Sequence, residues 1–185
     1  MKGFTLVEIL VVIGVSVVVM GSFIAYNSAS RAQIALSVEQ AKIAQLILRA
    51  KSLAVSSYTQ VSGPLSFRCG YGFSVNTSTQ SYSLNRYDVS DNTDCDDIYI
   101  GPAGFENISA VHKLEIYYLD SNLKFPVPAI GDELEDVLFI APEPKTFLQV
   151  GGSLFRRTAK INLETKAAPA RRATVSVNPM GQVGF

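Results

Sequence analysis

With 185 residues the chain has room for one compact domain plus an appended element. Its 16 basic and 16 acidic side chains cancel, so no bulk charge recruits nucleic acid and only local patches remain for such a partner. Two cysteines and a lone His112, with no Cys/His cluster, argue against a zinc site.

The chain opens Met1-Lys2-Gly3, continues Phe4-Thr5-Leu6-Val7-Glu8, and then runs from Ile9 to Tyr26 without a charge. A helix over Phe4–Tyr26 rises roughly 34 Å, enough to cross a hydrocarbon core of about 30 Å. Lys2 before the run and Arg31 after it suit a short cytoplasmic start. Glu8 is the anomaly. A carboxylate in hydrocarbon costs roughly 2.5–3.5 kcal/mol on insertion scales, so something must compensate it. A cleavable secretory signal is one alternative, with Asn27-Ser28-Ala29 as its small-residue site, but such signals use a shorter and cleaner apolar core. A bare anchor explains the length and leaves Glu8 unexplained. A Glu8 that snorkels to the interface from the helix end is the plain structural alternative.

Lys2-Gly3 followed by Phe4-Thr5-Leu6-Val7-Glu8 and a long Val/Ile run resembles the start of type IV pilins and type II secretion pseudopilins. That pattern is a short basic leader ending in Gly, then Phe, then an apolar stretch with Glu four residues after the Phe. The resemblance covers about the first thirty residues. It implies a leader of residues 1–3, cut between Gly3 and Phe4 by a membrane prepilin peptidase that also methylates the new Phe4 amine. It further implies an assembly role for Glu8, which would meet the Phe4 amine of a neighbouring subunit. An ammonium and a carboxylate in apolar surroundings offset each other's desolvation. Other pilin or pseudopilin subunits and an inner-membrane assembly platform are the implied partners. Many pilins carry a kinking proline near the end of this stretch. Here Gly21-Ser22-Phe23-Ile24-Ala25-Tyr26 has none, and Gly14, Gly21 and Ser22 are the points where the helix would soften.

From Ser28 to about Ser57 the helix is expected to continue into water. The segment lacks Pro and Gly and is rich in Ala, Leu, Gln, Lys and Arg. Its apolar residues form two stripes. Ile34, Val38, Ala41, Leu48 and Val55 make one; Leu36, Ile43, Ile47 and Ala54 make the other, nearly opposite on the wheel. Arg31, Lys42 and Arg49 mark a polar strip between them. Two faces suit one against the chain's own domain and one against other copies. An internal helix covered on both sides by a single domain is the alternative.

Gly63-Pro64 is expected to end the helical part, and strands follow. Leu65–Cys69, Gly72–Val75, Tyr82–Val89 and Asp97–Ile100 are short, aromatic and β-branched runs separated by turn residues, with 74–82 as a polar hairpin connection. Further strands are expected at Lys113–Leu119, Leu123–Pro126, Val137–Ile140, Phe147–Val150, Thr158–Leu163 and Ala173–Val177, with Val183–Phe185 closing. The runs at 69–75, 82–84 and 174–183 resemble the sheet region of minor pilins and tip pseudopilins. The fold class is therefore α+β: a long N-terminal helix, its first half transmembrane, packed on an antiparallel sheet. Residues 4–26 form the transmembrane and assembly helix, 27–57 its soluble half, and 58–185 a β-rich periplasmic or extracellular domain.

Cys69 and Cys95 enclose 25 residues. As a single pair behind an export-type segment they read as one disulfide made outside the cytoplasm, against two reduced cysteines that never meet. Asp88, Asp91, Asp94, Asp96 and Asp97 crowd the enclosed loop and its edges. Oxygen donors at that density make a calcium candidate, although the spacing is no EF-hand; a solvated acidic loop is the alternative. No other cofactor is expected. Arg156-Arg157 and Arg171-Arg172 read first as exposed turn arginines, then as contacts for anions such as DNA. Gly151-Gly152 reads as a turn, and no catalytic pattern surrounds Ser153. Glu143-Pro144 and Glu133, Glu135 and Asp136 read as loop acids without a partner.

The expected function is assembly rather than catalysis. The chain reads as a structural subunit of a type IV pilus-like filament, for adhesion, motility, DNA uptake or secretion. Its length and β-rich domain lean towards a minor or pseudopilin component. Before assembly it would lie in the cytoplasmic membrane as a single-pass protein; afterwards, in a periplasmic or extracellular filament. An exported or membrane-anchored β-rich binding or adhesive domain is the runner-up, and a membrane-tethered enzyme with an unrecognised site is the third class.

Overall fold

A computed structural model of the chain describes residues 6–57, 67–89, 99–101, 104–106, 108, 110–126, 133–140 and 145–185. Leu6–Ser57 forms one uninterrupted helix, α1, of 52 residues. It passes through Gly14, Gly21 and Ser22 without a break. Gly63-Pro64, expected to terminate it, lies outside the described residues.

Among the described residues, twelve strands follow: β1 (Phe67–Asn76), β2 (Ser81–Val89), β3 (Tyr99–Gly101), β4 (Gly104–Glu106), β5 (Ala110–Tyr118), β6 (Leu123–Lys124), β7 (Asp136–Ile140), β8 (Lys145–Val150), β9 (Ser153–Phe155), β10 (Ala159–Thr165), β11 (Arg172–Val177) and β12 (Val183–Gly184). They make a six-stranded sheet in the order β5-β2-β1-β7-β8-β9 and a four-stranded sheet in the order β12-β11-β10-β6; β3 and β4 pair as a small ribbon. Every strand pairing within these sheets is antiparallel. The chain is α+β, as its segmentation into one helical and one strand-rich part requires.

The soluble half of α1 lies across both sheets. Its stripe of Leu36, Ile43, Ile47 and Ala54 is buried against Phe73, Tyr82, Leu84 and Phe139 of the larger sheet and Ile161, Leu163 and Val175 of the smaller. The larger sheet is covered on its other face too. Val137 and Phe139 face the helix, while their neighbours Leu138 and Ile140 join Cys69, Tyr87 and Val89 in a second cluster under Phe105, Ile108 and Phe147. Alternating residues of one strand thus enter two cores.

The sequence splits β1 at Gly70-Tyr71-Gly72, and the structure does not. Both glycines sit inside a continuous strand between β2 and β7. A Cβ on Gly70 would come within 2.2 Å of the Phe139 carbonyl oxygen, and one on Gly72 within 2.1 Å of that of Val137. These glycines are there for close backbone approach rather than for a turn. The connection between β1 and β2 is also shorter than expected, with the turn confined to Thr77–Gln80. The Asn76 side chain accepts from the Thr79 amide at 3.0 Å, and Gln80 takes φ +51°. Gly151 and Gly152 form the expected turn, both in the left-handed region.

Candidate functional site: the uncovered surface of the long helix

Among the described residues, nothing covers the first half of α1. The window Leu6–Phe23 has a mean hydropathy of 2.5 and none of it is buried. It is long and apolar enough to cross a membrane, which suits an anchor or a signal sequence. Its two serines bond within the helix. Ser16 donates to the Val12 carbonyl at 2.8 Å and Ser22 to that of Val18 at 2.9 Å, so neither hydroxyl needs water. Gly14 and Gly21 present bare backbone, with open space where a Cβ would stand. Glu8 sits in the first helical turn, where the helix dipole favours a negative charge. Gly3 and Phe4, the expected cleavage and methylation residues, lie outside the described residues.

The second half separates the two stripes. Ile43 and Ile47 are fully buried, whereas Ile34, Val38, Leu48 and Val55 of the other stripe are 45–61 % exposed. Among the described residues the helix is therefore covered on one side only, and the alternative of an internal helix is set aside. Polar contacts fix this rotation from both flanks. On one flank Arg49 pairs with Glu115 at 2.7 Å, while Lys42 pairs within the helix with Glu39 at 2.6 Å. On the other, Gln40 donates to the Thr174 carbonyl at 2.9 Å and Lys51 to the Met180 and Gly181 carbonyls at 3.0 and 3.2 Å. Beneath them the Tyr82 phenol donates to the buried Glu39 carboxylate at 2.7 Å. Burial, then Glu39 as partner, holds the Tyr82 phenol well above the ordinary tyrosine range.

The structure brings together groups that sequence reasoning left apart. Asp136 opens β7, and its carboxyl oxygens each lie 2.8 Å from the Tyr87 hydroxyl. Asn85 donates to the Tyr87 oxygen at 3.3 Å and to Ser74 at 2.8 Å, and Ser83 donates to Asn85 at 2.9 Å. Burial pushes the Asp136 carboxyl up to about 8, against the lowering effect of its bonds to Tyr87 and the Val137 amide. Glu133 accepts from Asn162 at 3.0 Å and Glu135 from the Gly152 amide at 2.9 Å, so three of the four supposed loop acids have partners, and Glu143 lies outside the described residues. Glu133 and Glu135 also line a cleft of about 610 Å³ between the sheets, with Phe125, Leu134, Lys160 and Ile161.

Cys69 is disulfide-bonded. The sequence holds one other cysteine, Cys95, which lies outside the described residues. Of the calcium candidates, Asp88 is described; it pairs with Arg86 at 2.9 Å and faces His112 Nε2 at 3.3 Å. Asp91, Asp94, Asp96 and Asp97 lie outside the described residues. Arg156 and Arg157 are exposed, and Arg171 and Arg172 meet Gln33 and Glu164. A buried acid on the helix that the sequence pattern alone did not single out is Glu39. Its signal was present: an acid between Leu36 and Ile43 on the buried stripe. No protein-family model, curated protein or solved structure matches this chain.

Proposed function

We propose that this chain is a filament subunit of the type IV pilin and pseudopilin kind, a minor or pseudopilin component held in the cytoplasmic membrane before assembly. The observation that carries this is uncovered apolar surface on both halves of α1. Leu6–Phe23 is exposed all round, and beyond the polar stretch 27–33 an exposed apolar stripe follows as Ile34, Val38, Leu48 and Val55. A solitary anchor needs only the first part. A helix that leaves the bilayer to join a bundle needs both, because lipid covers the first part beforehand and neighbouring helices cover the whole afterwards.

Glu8 and Phe4 supply the register. Cleavage after Gly3 creates a charged amine at Phe4, and a neighbour's Glu8 neutralises it as both leave water. Each ion alone is unfavourable in that setting, so a mispaired helix carries an uncompensated charge. Register is enforced by the cost of the wrong arrangement more than by the strength of the right one.

Mass spectrometry of the membrane-extracted protein tests the reading. The expected mature N terminus is N-methylated Phe4, and Gly3→Ala should leave the full-length precursor in the membrane. A mature chain beginning near Ser30, or normal processing of the Gly3 variant, would overturn it.

A further inference from the structure

We propose that the β10–β11 hairpin tip, Lys166 to Arg172, is a docking surface for anionic lipid headgroups. It would seat the domain on the bilayer that holds α1. The proposal rests on Leu6–Phe23 being a membrane span.

The placement follows from three contacts of the helix with β11 and the residues that flank it. Arg171 donates to the Gln33 side chain, Gln40 to the Thr174 carbonyl, and Lys51 to the Met180 carbonyl. Sequence numbers rise together along both elements, so β11 runs in the direction of α1. The tip before Arg171 therefore points back towards the apolar end of the helix. Seven residues separate Tyr26 from Gln33, a rise of about 10 Å. The hairpin is closed by the Thr165 amide donating to the Arg171 carbonyl at 2.9 Å, and 166–170 project beyond it. Two residue rises of about 3.3 Å each bring the tip to the headgroup layer, roughly 5–7 Å deep on each side of the hydrocarbon.

The chemistry of the tip suits that position. Residues 167–170 read Ala-Ala-Pro-Ala, with Lys166 on one side and Arg171-Arg172 on the other, and every residue from 166 to 172 is exposed. Small apolar residues enter the interface without burying a polar side chain, and flanking cations meet phosphate. Arg171 is bonded to a neutral amide, and Lys166 donates to the Ser121 carbonyl at 2.8 Å, so the partner in each bond carries no opposing charge. Glu164 is shared by Lys124 at 3.7 Å and Arg172 at 3.3 Å, so its one negative charge faces two positive ones. Arg31, nearer the span on the helix, lines a shallow depression with Asp120, so these two charges offset each other at that end. At physiological salt such charges act over about 8 Å, which makes proximity to the span decisive. On leaving the bilayer for a filament the tip would have to release its lipids, which couples docking to assembly.

The chain contains no tryptophan, so Ala168→Trp gives the full-length protein a single indole at the tip. The protein is reconstituted into vesicles of phosphatidylcholine alone, or of equal phosphatidylcholine and phosphatidylglycerol, each with brominated acyl chains. In the anionic vesicles the emission should shift to the blue and at least halve in intensity. Neutral vesicles, and Lys166→Gln, Arg171→Gln, Arg172→Gln in the same background, should return it to the emission of water. Met180→Trp, exposed at the far end of the helix contact, should stay unquenched throughout. Ala170→Trp repeats the measurement should the first variant misfold. A chain stripped from vesicles by alkaline carbonate overturns the span and this proposal together. A chain that stays, with a water-like tip signal in anionic vesicles or equal quenching in both, overturns the docking alone.

Discussion

Glu39 and Tyr82 meet across the helix–sheet interface, the phenol donating to a carboxylate that is only 4 % exposed. Their contact fixes which stripe of α1 turns inward, because Glu39 lies on the same side as Leu36 and Ile43. Tyr82→Phe keeps the ring beside Phe73, Tyr117 and Phe125 but removes the donor. A buried carboxylate then loses a partner, and the expected loss is about 1–3 kcal/mol. Glu39→Gln still accepts from Tyr82 and forfeits only the half-exposed Lys42, so its loss should be smaller. Urea unfolding of the full chain in mild detergent, followed by tyrosine circular dichroism, measures both. Equal stability of Tyr82→Phe and wild type would contradict the role given to this bond.

Neighbouring residues 47 and 48 should behave as opposites. Ile47 is fully buried and Ile47→Ala should cost about 2–5 kcal/mol. Leu48 is half exposed, and Leu48→Glu should change the stability of the isolated subunit by no more than about 0.5 kcal/mol. The same Leu48→Glu should exclude the subunit from filaments, since it places a charge on the surface proposed to meet other helices. Co-expression with wild-type subunits and recovery of filaments reads this out. Normal incorporation of Leu48→Glu and Val38→Glu would remove the exposed stripe from the assembly surface.

The two-stripe pattern was legible because helical spacing alone separates Leu36, Ile43 and Ile47 from Ile34, Val38 and Leu48. The α+β division was legible for a similar reason, as the helix formers stop near Ser57 and the β-branched and aromatic runs begin after it. Gly70 and Gly72 misled because a glycine needed for close approach and a glycine needed for a turn look alike in sequence. β2 hid its polar network for another reason. Ser81, Ser83, Asn85 and Asp88 are all buried, so polarity did not mark exposure. Which polar groups meet depends on register, as with Asp136 opposite Ser74 on β1, and register is set by the whole sheet. The N-terminal motif is the reverse case. Its residues are read more fully from chemistry than from the fold, since Gly3 and Phe4 lie outside the described residues.

Gly72→Ala tests the close-approach argument. The added methyl would stand 2.1 Å from the Val137 carbonyl oxygen and 2.8 Å from the Tyr87 ring. Neither backbone can yield without separating β1 from β7, in the middle of the six-stranded sheet. The expected loss is on the order of 3 kcal/mol, with exposure of Tyr87. Gly14→Ala, on the uncovered helix with open space around it, should instead leave the subunit's stability unchanged or slightly raised. Comparable losses in the two variants would mean that the strand glycines are not there for packing.

Asp136 gives the fold a pH dependence whose sign is opposite to that of an ion-paired carboxylate. Burial holds its folded value at about 8, against 3.8 for the free side chain. Between those values the folded chain keeps a proton that the unfolded chain has released. Unfolding therefore releases a proton in this window, and stability falls as pH rises from about 4 to about 8. Below 3.8 the group is protonated in both states; above 8 it is ionised in both, and its contribution is flat. Glu135, the neighbouring acid, adds to the upward push, while Tyr87 and the Val137 amide oppose it. Asp136 retains some solvent access, so the full swing is expected to be a few kcal/mol. Asp136→Asn keeps the shape and removes the titration. The difference in unfolding free energy between variant and wild type should grow in favour of the variant from pH 4 to pH 8. Parallel pH profiles for the two proteins would show that the Asp136 carboxyl titrates as an ordinary exposed acid.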